Sequence, residues 1–426
     1  MKSVYDIFSG RGFIEQVTDE ELVRDLLERE SVTCYIGFDP TATSLHIGSL
    51  VPIMALCHMQ RMGHRPIALV GGGTALIGDP SGKTEMRQIL TRDEINRNAE
   101  ALRKQLSRYI DFEGDRALLL NNADWLADLN YIEFLRDIGR HFSVNRMLAA
   151  ETYRMRMETG LNFIEFNYML LQSYDFYYLS KYHGCSIQMG GNDQWGNIVA
   201  GADLTRRLEG KKVYGMTFPL LVTSQGHKMG KTEKGTVWLD PNLTTPYEYF
   251  QYWMNTEDAD VERFMALFTF LPLEEIREVS KLADSEINMA KAVLAFETTR
   301  ITHGEAEAVT AWKASAGAFN LRPVPSNLFP SCSIPRDEVT LDVSAIPTYE
   351  KSMQELETTP VAVLFQEVNL CASRGEARRL ITQGGAYING RQIKSIDDSI
   401  GVSDLDENRE IRLRKGKKKY AIIRVI

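Results

Sequence analysis

The sequence predicts an α/β protein: a doubly wound, Rossmann-like parallel sheet with a helical insertion, followed by a helical domain and a small basic α+β module. Three observations carry this reading. A strand, helix, strand succession fills residues 32–71, where the apolar runs VTCYIGF and PIALVG frame the amphipathic stretch LVPIMALCHMQRM, so the two strands run parallel. The succession returns at 185–208. From Cys371 onward, 13 Lys and Arg stand against 7 Asp and Glu, which makes this end +6 and the remainder −14 in a chain of net charge −8. A basic module is thus joined to an acidic body.

Each element has its own mark. Residues 32–38 read as a buried strand, the loop DPTATSLH follows, and the next helix stops at Gly63, a C-cap glycine. Residues 66–71 form the second strand. A largely helical insertion then leads to a strand at 185–189, a loop at GGND and a helix at 195–208. Ligands of such a sheet gather where strand C-termini open onto loops. FPLLV reads as a strand entering a polar, glycine-bearing loop, and YEYFQYWM and DVERFMALF make the following stretch helical. Pro323, Pro325, Pro330, Pro335 and Pro347 punctuate a linker. Beyond it, Ser373 and Glu376 have capping-box spacing, Gly384 ends that helix, and Asn389-Gly390 marks a hairpin turn. IRLRKGKKKYAIIRV reads as two strands around a basic turn. The expected domains are a Rossmann-like sheet domain over 1–222, a mobile loop and connection over 223–245, a helical domain over 246–320, a linker over 321–359 and a basic module over 360–426.

Composition narrows the class. With 44% hydrophobic and 25% charged residues the chain reads as a globular protein. MKSVYDIFSGRGF lacks the apolar core of a signal peptide, and no run approaches the ~18 apolar residues of a membrane span, so a cytoplasmic location is expected. The five cysteines include no C-x-x-C pair, which argues against a disulfide framework and a zinc site and for buried thiols.

Two loops resemble phosphate-binding loops and miss their rule. GDPSGKT (78–84) and GHKMGKT (226–232) are each one spacer short of G-x-x-x-x-G-K-[ST], and Ile77 stands where the first glycine belongs. Phosphate chemistry of another kind is implied. Asp39, Thr41, His46, Gly48 and Ser49 lie between the first strand and the head of its helix, where unpaired N–H groups and the helix dipole favour anions. There His46 can donate to a phosphoryl oxygen and Gly48 leaves room for a flat ring; the alternative is a cap residue and a packing glycine. Lys228 and Lys231 can close over a triphosphate, as can Lys83 and Arg87, or all four can sit on solvated loops. Tyr168, Gln172 and Asp175, at i, i+4 and i+7, share one face of a helix that is apolar nearly all round. A buried polar stripe needs partners, whether a ligand or an internal network.

Together, HIGS and KMGKT on either side of a split parallel sheet resemble the paired signatures of class I aminoacyl-tRNA synthetases. YIGFDPTATSLHIGS, GDPSGK, FNYMLLQSYDF and QMGGNDQWGN are similar to bacterial tyrosyl-tRNA synthetases, and the likeness runs from Tyr35 to the end. The resemblance implies activation of L-tyrosine with ATP to tyrosyl-adenylate and pyrophosphate, then transfer to the 3′ end of tRNA(Tyr). It also implies Mg²⁺ arriving with ATP rather than in a dedicated protein site, a homodimer and no membrane partner. By motif match, Tyr35 and Asp175 hold the phenolic hydroxyl, with Gln188 in the same pocket, and Asp79, Tyr168 and Gln172 hold the amino group. Asp39, Gly191, Asp193 and Gln194 meet the ribose or the reacting carboxylate, and Gly37, Gly48 and Ser49 the nucleotide. Thr41 and His46 face the pentavalent phosphate, and Lys83, Arg87, Lys228 and Lys231 gather the pyrophosphate. In the basic module, Arg374, Arg378, Arg414, Lys415, Lys417, Lys418 and Lys419 meet tRNA phosphates. Two positions depart from the pattern: Ser49 replaces a second histidine, and Gly230 replaces a serine between the loop lysines. The rivals are a tryptophanyl enzyme, a related adenylyltransferase and a non-catalytic RNA-binding relative; an aspartate aimed at a phenol distinguishes the tyrosyl reading.

Overall fold

The computed structural model describes residues 3–81, 90–226, 229–232, 235–282, 286–319, 323–336, 346–396, 398, 400–406, 408–416 and 419–426. The chain divides into two compact units, Met1–Thr232 with Thr236–Thr244 and Thr256–Leu282, and Glu233–Gly235 with Thr245–Asn255 and Ala283–Ile426.

The first unit is built on six strands: β1 (Gln16–Val17), β2 (Thr33–Phe38), β3 (Arg65–Val70), β4 (Leu118–Asn121), β5 (Cys185–Gly191) and β6 (Tyr214–Phe218). Their order is β1-β6-β5-β2-β3-β4, parallel except for β1, which pairs antiparallel with β6. The chain leaves β2 for β3 and β4 on one side and later returns on the other side as β5 and β6. The loops after β2 and β5 therefore diverge and open a cleft at their C-terminal ends. Cys34, Tyr35, Ile36 and Phe38 are buried, which is why β2 reads as a nearly continuous apolar run.

Two features of this unit differ from expectation. The stretch expected to be a helical insertion contains β4, a four-residue, half-buried edge strand whose LLLN run is too short to separate from helix by periodicity. The strand expected at FPLLV ends at Phe218, because Pro219 has no N–H to continue the ladder. Between β4 and β5 the chain is helical, and the long helix Tyr168–His183 packs on Trp195–Glu209. That approach is close: a Cβ on Gly201 would lie 3.1 Å from Phe176. In the same region the buried Arg156 and Glu165 pair at 2.9 Å. The helix Val261–Phe268, expected within a separate helical domain, belongs to the first unit. It packs on Leu50–Arg61, and the buried Arg11 guanidinium donates to the carbonyls of Ala266, in its last turn, and of Thr269 and Leu271 just beyond it.

In the second unit Pro246–Met254, Ile287–His303 and Glu305–Phe319 pack together around Tyr249, Phe250, Trp253 and Trp312. A five-stranded sheet has the order Arg391–Gln392, Ala386–Ile388, Glu410–Lys415, Lys419–Val425, Thr348–Lys351, with the last pair parallel. The strand Thr348–Lys351 and the helix Met353–Thr358 fall in the stretch expected to be a linker. A four-residue TYEK strand beside prolines gives too little pattern to be seen, yet its partner strand fixes it. Arg336 organises part of the same stretch by donating to the carbonyls of Val324, Leu328 and Phe329. The hairpin turn has φ of 47° at Asn389 and 82° at Gly390, the left-handed pair that Asn-Gly accommodates. All five cysteines are buried, and no disulfide joins them.

Candidate active site

A cavity of about 460 Å³ opens at the C-terminal ends of β2 and β5. Its deep end is defined by three polar side chains with almost no exposure: Tyr35 on β2, Gln188 opposite it on β5, and Asp175 on the helix Tyr168–His183. Asp175 accepts from Asn122 Nδ2 at 2.9 Å and from Trp125 Nε1 at 2.8 Å. Burial pushes its carboxyl up to about 7, the two donors oppose that shift, and the charge of Asp39 adds to it. The Tyr35 hydroxyl and Gln188 Oε1 are buried without a hydrogen-bond partner. Burial, then the charge of Asp175, pushes the Tyr35 phenol well above its ordinary range. Unsatisfied polar groups cost about 1–3 kcal/mol each, so two of them beside a buried carboxylate mark a place for a polar ligand.

Above this floor Asp39 is gripped from both sides. Tyr168 Oη donates to Asp39 Oδ2 at 3.0 Å, and Thr74 Oγ1 donates to Oδ1 at 2.8 Å. Asn122 Nδ2 also reaches Thr74 Oγ1 at 3.0 Å, so one network joins Asp175 to Asp39. Gly71 makes room for it: a Cβ there would stand 2.0 Å from Asp39 Oδ1. The sequence reading gave Tyr168 and Asp39 to different parts of the substrate, whereas here they are hydrogen-bonded to each other. A second network starts at Asp79, which accepts from Gln194 Nε2 at 2.8 Å and from the Ser81 N–H at 2.9 Å. Asn197 Nδ2 donates to Gln172 Oε1 at 3.0 Å and to Gln194 Oε1 at 3.1 Å, tying the helix after β5 to the Tyr168–His183 helix.

The mouth of the cavity belongs to the HIGS segment. His46 caps the short turn Ile47–Ser49, and its Nδ1 accepts the Gly48 N–H at 3.0 Å. That bond makes Nε2 the protonated nitrogen of the neutral ring. A Cβ on Gly48 would stand 2.7 Å from the His46 ring, so only glycine lets the imidazole lie over the turn. Gly230 has φ of 87°, and a Cβ there would lie 3.4 Å from Gly48 N and 3.5 Å from His46 Nδ1. Val237 N–H donates to Gly230 O, Ile47 N–H to Val237 O, and His46 bridges Trp238, so the backbone at Gly230, Val237 and Trp238 lies against HIGS.

The cavity lining brings together Tyr35, Gly37, Asp39, Thr41, His46, Gly48, Ser49, Asp79, Tyr168, Gln172, Asp175, Gln188, Gly191, Asp193 and Gln194 of the sequence-predicted residues. Lys83, Arg87, Lys228, Lys417 and Lys418 lie outside the described residues, as does the side chain of Lys231. Sequence reading missed Thr74, Asn122, Trp125, Asn197 and the role of Gly71. The available signals were the glycine run Gly71-Gly72-Gly73, directly after β3, and the pair Asn121-Asn122, at the C-terminal end of β4.

In the C-terminal sheet two predicted phosphate contacts are engaged internally. Lys415 pairs with Glu376, and the Arg414 guanidinium stacks 3.8 Å from the Tyr387 ring centroid. Arg374 and Arg378 are exposed on the helix Arg374–Thr382, and Lys419 is half-buried. The capping box is half formed: Ser373 Oγ accepts from Glu376 N, but the Glu376 carboxylate turns to the Ala372 N–H and Lys415.

A family model described as class I tRNA synthetases (W and Y) matches residues 27–320, and one described as the tyrosine–tRNA ligase SYY-like C-terminal domain matches 338–423. A tyrosine–tRNA ligase of Syntrophus aciditrophicus is 64% identical, covering 100% of this chain and 99% of that one. One from Desulfosudis oleivorans is 59% identical, covering 99% and 98%. Among solved structures, a C-terminally truncated mitochondrial tyrosyl-tRNA synthetase of Aspergillus nidulans superposes with a TM-score of 0.67 at 31% identity, covering 73% of this chain and 93% of that one. A Plasmodium falciparum tryptophanyl-tRNA synthetase shares the fold alone, with a TM-score of 0.53 at 15% identity over 71% of this chain and 84% of that one.

Proposed function

Because the chain belongs to the class I tRNA synthetases of the tryptophan and tyrosine family, we propose that this one cavity makes the aminoacyl-adenylate, with its amino-acid end at Asp175 and its phosphate end at His46. The enzyme is a tyrosine–tRNA ligase, which activates tyrosine with ATP and joins it to tRNA. In the first step a tyrosine carboxylate oxygen bonds to the α-phosphorus of ATP, the bond to the β-phosphate oxygen breaks, and pyrophosphate leaves.

The observation that carries the assignment of residues is the buried set of Asp175, Tyr35 and Gln188 at the floor of the cavity, where the Tyr35 hydroxyl and Gln188 Oε1 have no hydrogen-bond partner. A phenolic hydroxyl there donates to Asp175 and accepts from Tyr35. Phenylalanine would leave those groups unpaired, and an indole would bring no hydroxyl, so the tyrosyl reading is favoured over the tryptophanyl one. Asp79, Tyr168 and Gln172 bind the α-amino group, and Asp39, Gly191, Asp193 and Gln194 the ribose and the reacting carboxylate. Gly37 offers open strand surface to the substrate, since nothing lies within 4 Å of a Cβ built there.

No side chain need act as a nucleophile. Catalysis rests on positioning and on donors aimed at charge that develops in the transition state. His46 Nε2–H and the Thr41 hydroxyl face the α-phosphate, Ser49 approaches the ribose, and Lys83, Arg87, Lys228 and Lys231 draw off the pyrophosphate. The carboxylates Asp39 and Asp79 already accept hydrogen bonds, a donor set that fits Mg²⁺ carried by the triphosphate rather than held in a protein cage. Bound, the ion would neutralise phosphate charge. Arg374 and Arg378, with Lys417, Lys418 and Lys419, meet tRNA phosphates, and Arg414 and Lys415 join only if their internal contacts open. The exposed Tyr131, Ile132, Val144 and Phe163 of the first unit support a homodimer. Among the described residues no helix is long and apolar enough to cross a membrane, which is compatible with a cytoplasmic enzyme.

Exchange of labelled pyrophosphate into ATP, run with each of the twenty amino acids, tests this reading. Tyrosine alone supports exchange; equal exchange with tryptophan or phenylalanine contradicts it.

A further inference from the structure

The loop that carries Thr41 and His46 is held by two amides that no motif marks. Asn98 and Gln105 lie seven residues apart, two turns along one face of the helix Arg92–Leu106, and both are buried. Asn98 Nδ2 donates to the carbonyl of Pro40 at 3.0 Å, just before Thr41. Gln105 Oε1 accepts the Leu45 N–H at 2.9 Å, and its Nε2 donates to Ser44 Oγ at 2.9 Å, just before His46. Ser44 Oγ is fully engaged, since it also accepts the Asp240 N–H at 3.2 Å and donates to the Leu45 carbonyl at 2.7 Å. That carbonyl accepts the Leu239 N–H at 2.9 Å as well, so the chain leaving the lysine loop is fastened to the same point. The anchoring helix is itself fixed at its start by the Thr91 and Glu94 capping box.

We propose that Asn98 and Gln105 are positioning residues, a two-point amide clamp that holds the loop so that Thr41 and His46 stay aimed at the α-phosphate. The inference rests on the phosphoryl-transfer role given to His46. Neither amide touches the substrate. Side-chain amides suit the task because each can donate or accept across a buried gap without bringing a charge. A backbone displacement of about 1 Å at a reacting group can cost about 100-fold in rate, so a loosened loop should act on turnover and not on tyrosine binding.

The test uses the full-length enzyme and tyrosine-dependent pyrophosphate exchange. Gln105→Met keeps the length of the side chain and removes both hydrogen bonds; kcat should fall about 10- to 100-fold with tyrosine KM within about 2-fold. In a His46→Ala background the same change should cost less than about 3-fold further, because the Gln105 end of the clamp fastens Ser44 and Leu45, directly before His46, and the group aimed from that end is gone. Should Gln105→Met not fold, Asn98→Leu, at the other end of the clamp, is judged by the same kcat and KM criterion, with Thr41→Val in place of His46→Ala as the background. An unchanged kcat, an effect confined to tyrosine KM, or an equal loss with and without His46 overturns the clamp. If His46→Ala alone leaves kcat intact, it is the role of His46 that fails.

Discussion

Replacing Trp125 with Phe removes one donor from Asp175 while keeping a ring to stack on Tyr178, which lies 4.3 Å away at 13°. The carboxyl stands near 7 because burial outweighs the two hydrogen bonds that favour its ionised form. A hydrogen bond to a charged group contributes about 1.5–3 kcal/mol, and about 1.4 kcal/mol corresponds to one pKa unit, so the variant's carboxyl should rise by about one to two units. At pH 7 its ionised fraction then falls from about half to about 10% or 1%, and tyrosine affinity should drop about 5- to 50-fold. The sign follows from the direction of donation: the phenol donates to ionised Asp175, so affinity is full above the carboxyl's pKa and is lost as pH falls through it. Calorimetric titration of tyrosine from pH 6 to 9 should place the midpoint near 7 in the native enzyme and one to two units higher in the variant. The same group affects the free fold in the opposite sense. Its folded pKa exceeds the ordinary 3.8, so its contribution to stability is present below about 4 and is lost as pH rises to about 7. An unmoved midpoint, or tighter tyrosine binding at low pH in either protein, would refute this picture of the pocket.

Two further outcomes follow from the same geometry. Tyr35→Phe removes a buried hydroxyl that has no partner in the free protein, so the variant should be about 1 kcal/mol more stable by denaturant unfolding. Its KM for tyrosine should rise about 10-fold in pyrophosphate exchange, with narrower discrimination against phenylalanine. Deleting residues 346–426 should spare exchange and abolish tRNA charging. The cut belongs before Thr348–Lys351, because that strand pairs with Lys419–Val425 and would be left unpaired by a cut at 360.

The first βαβ unit was legible because β2 and β3 are buried on both faces and so appear as unbroken apolar runs. Asp175, Tyr168 and Gln172 were legible as a polar stripe on an apolar helix. What periodicity could not supply was the company these residues keep. Trp125 and Asn122 sit in an ordinary-looking NNADW stretch, and their meaning appears only when β4 brings them to Asp175, more than forty residues later in the chain. Gly71 matters because of a carboxylate thirty-two positions earlier, and Lys415 is engaged by Glu376 across the module. In each case the information lies in pairing between distant segments. The Asn98 and Gln105 clamp is hidden for the same reason: neither residue lies in a motif, and both partners are backbone or hydroxyl groups on another element.

A crystal structure with a non-hydrolysable tyrosyl-adenylate analogue bears most directly on the single cavity at the β2 and β5 switch. The phenolic oxygen should lie between Asp175 and Tyr35, the ribose beside Asp39 and Gly191, and the phosphate mimic within hydrogen-bonding reach of His46 Nε2. An analogue bound with its phenol away from Asp175, or with its phosphate mimic turned away from His46, would contradict it.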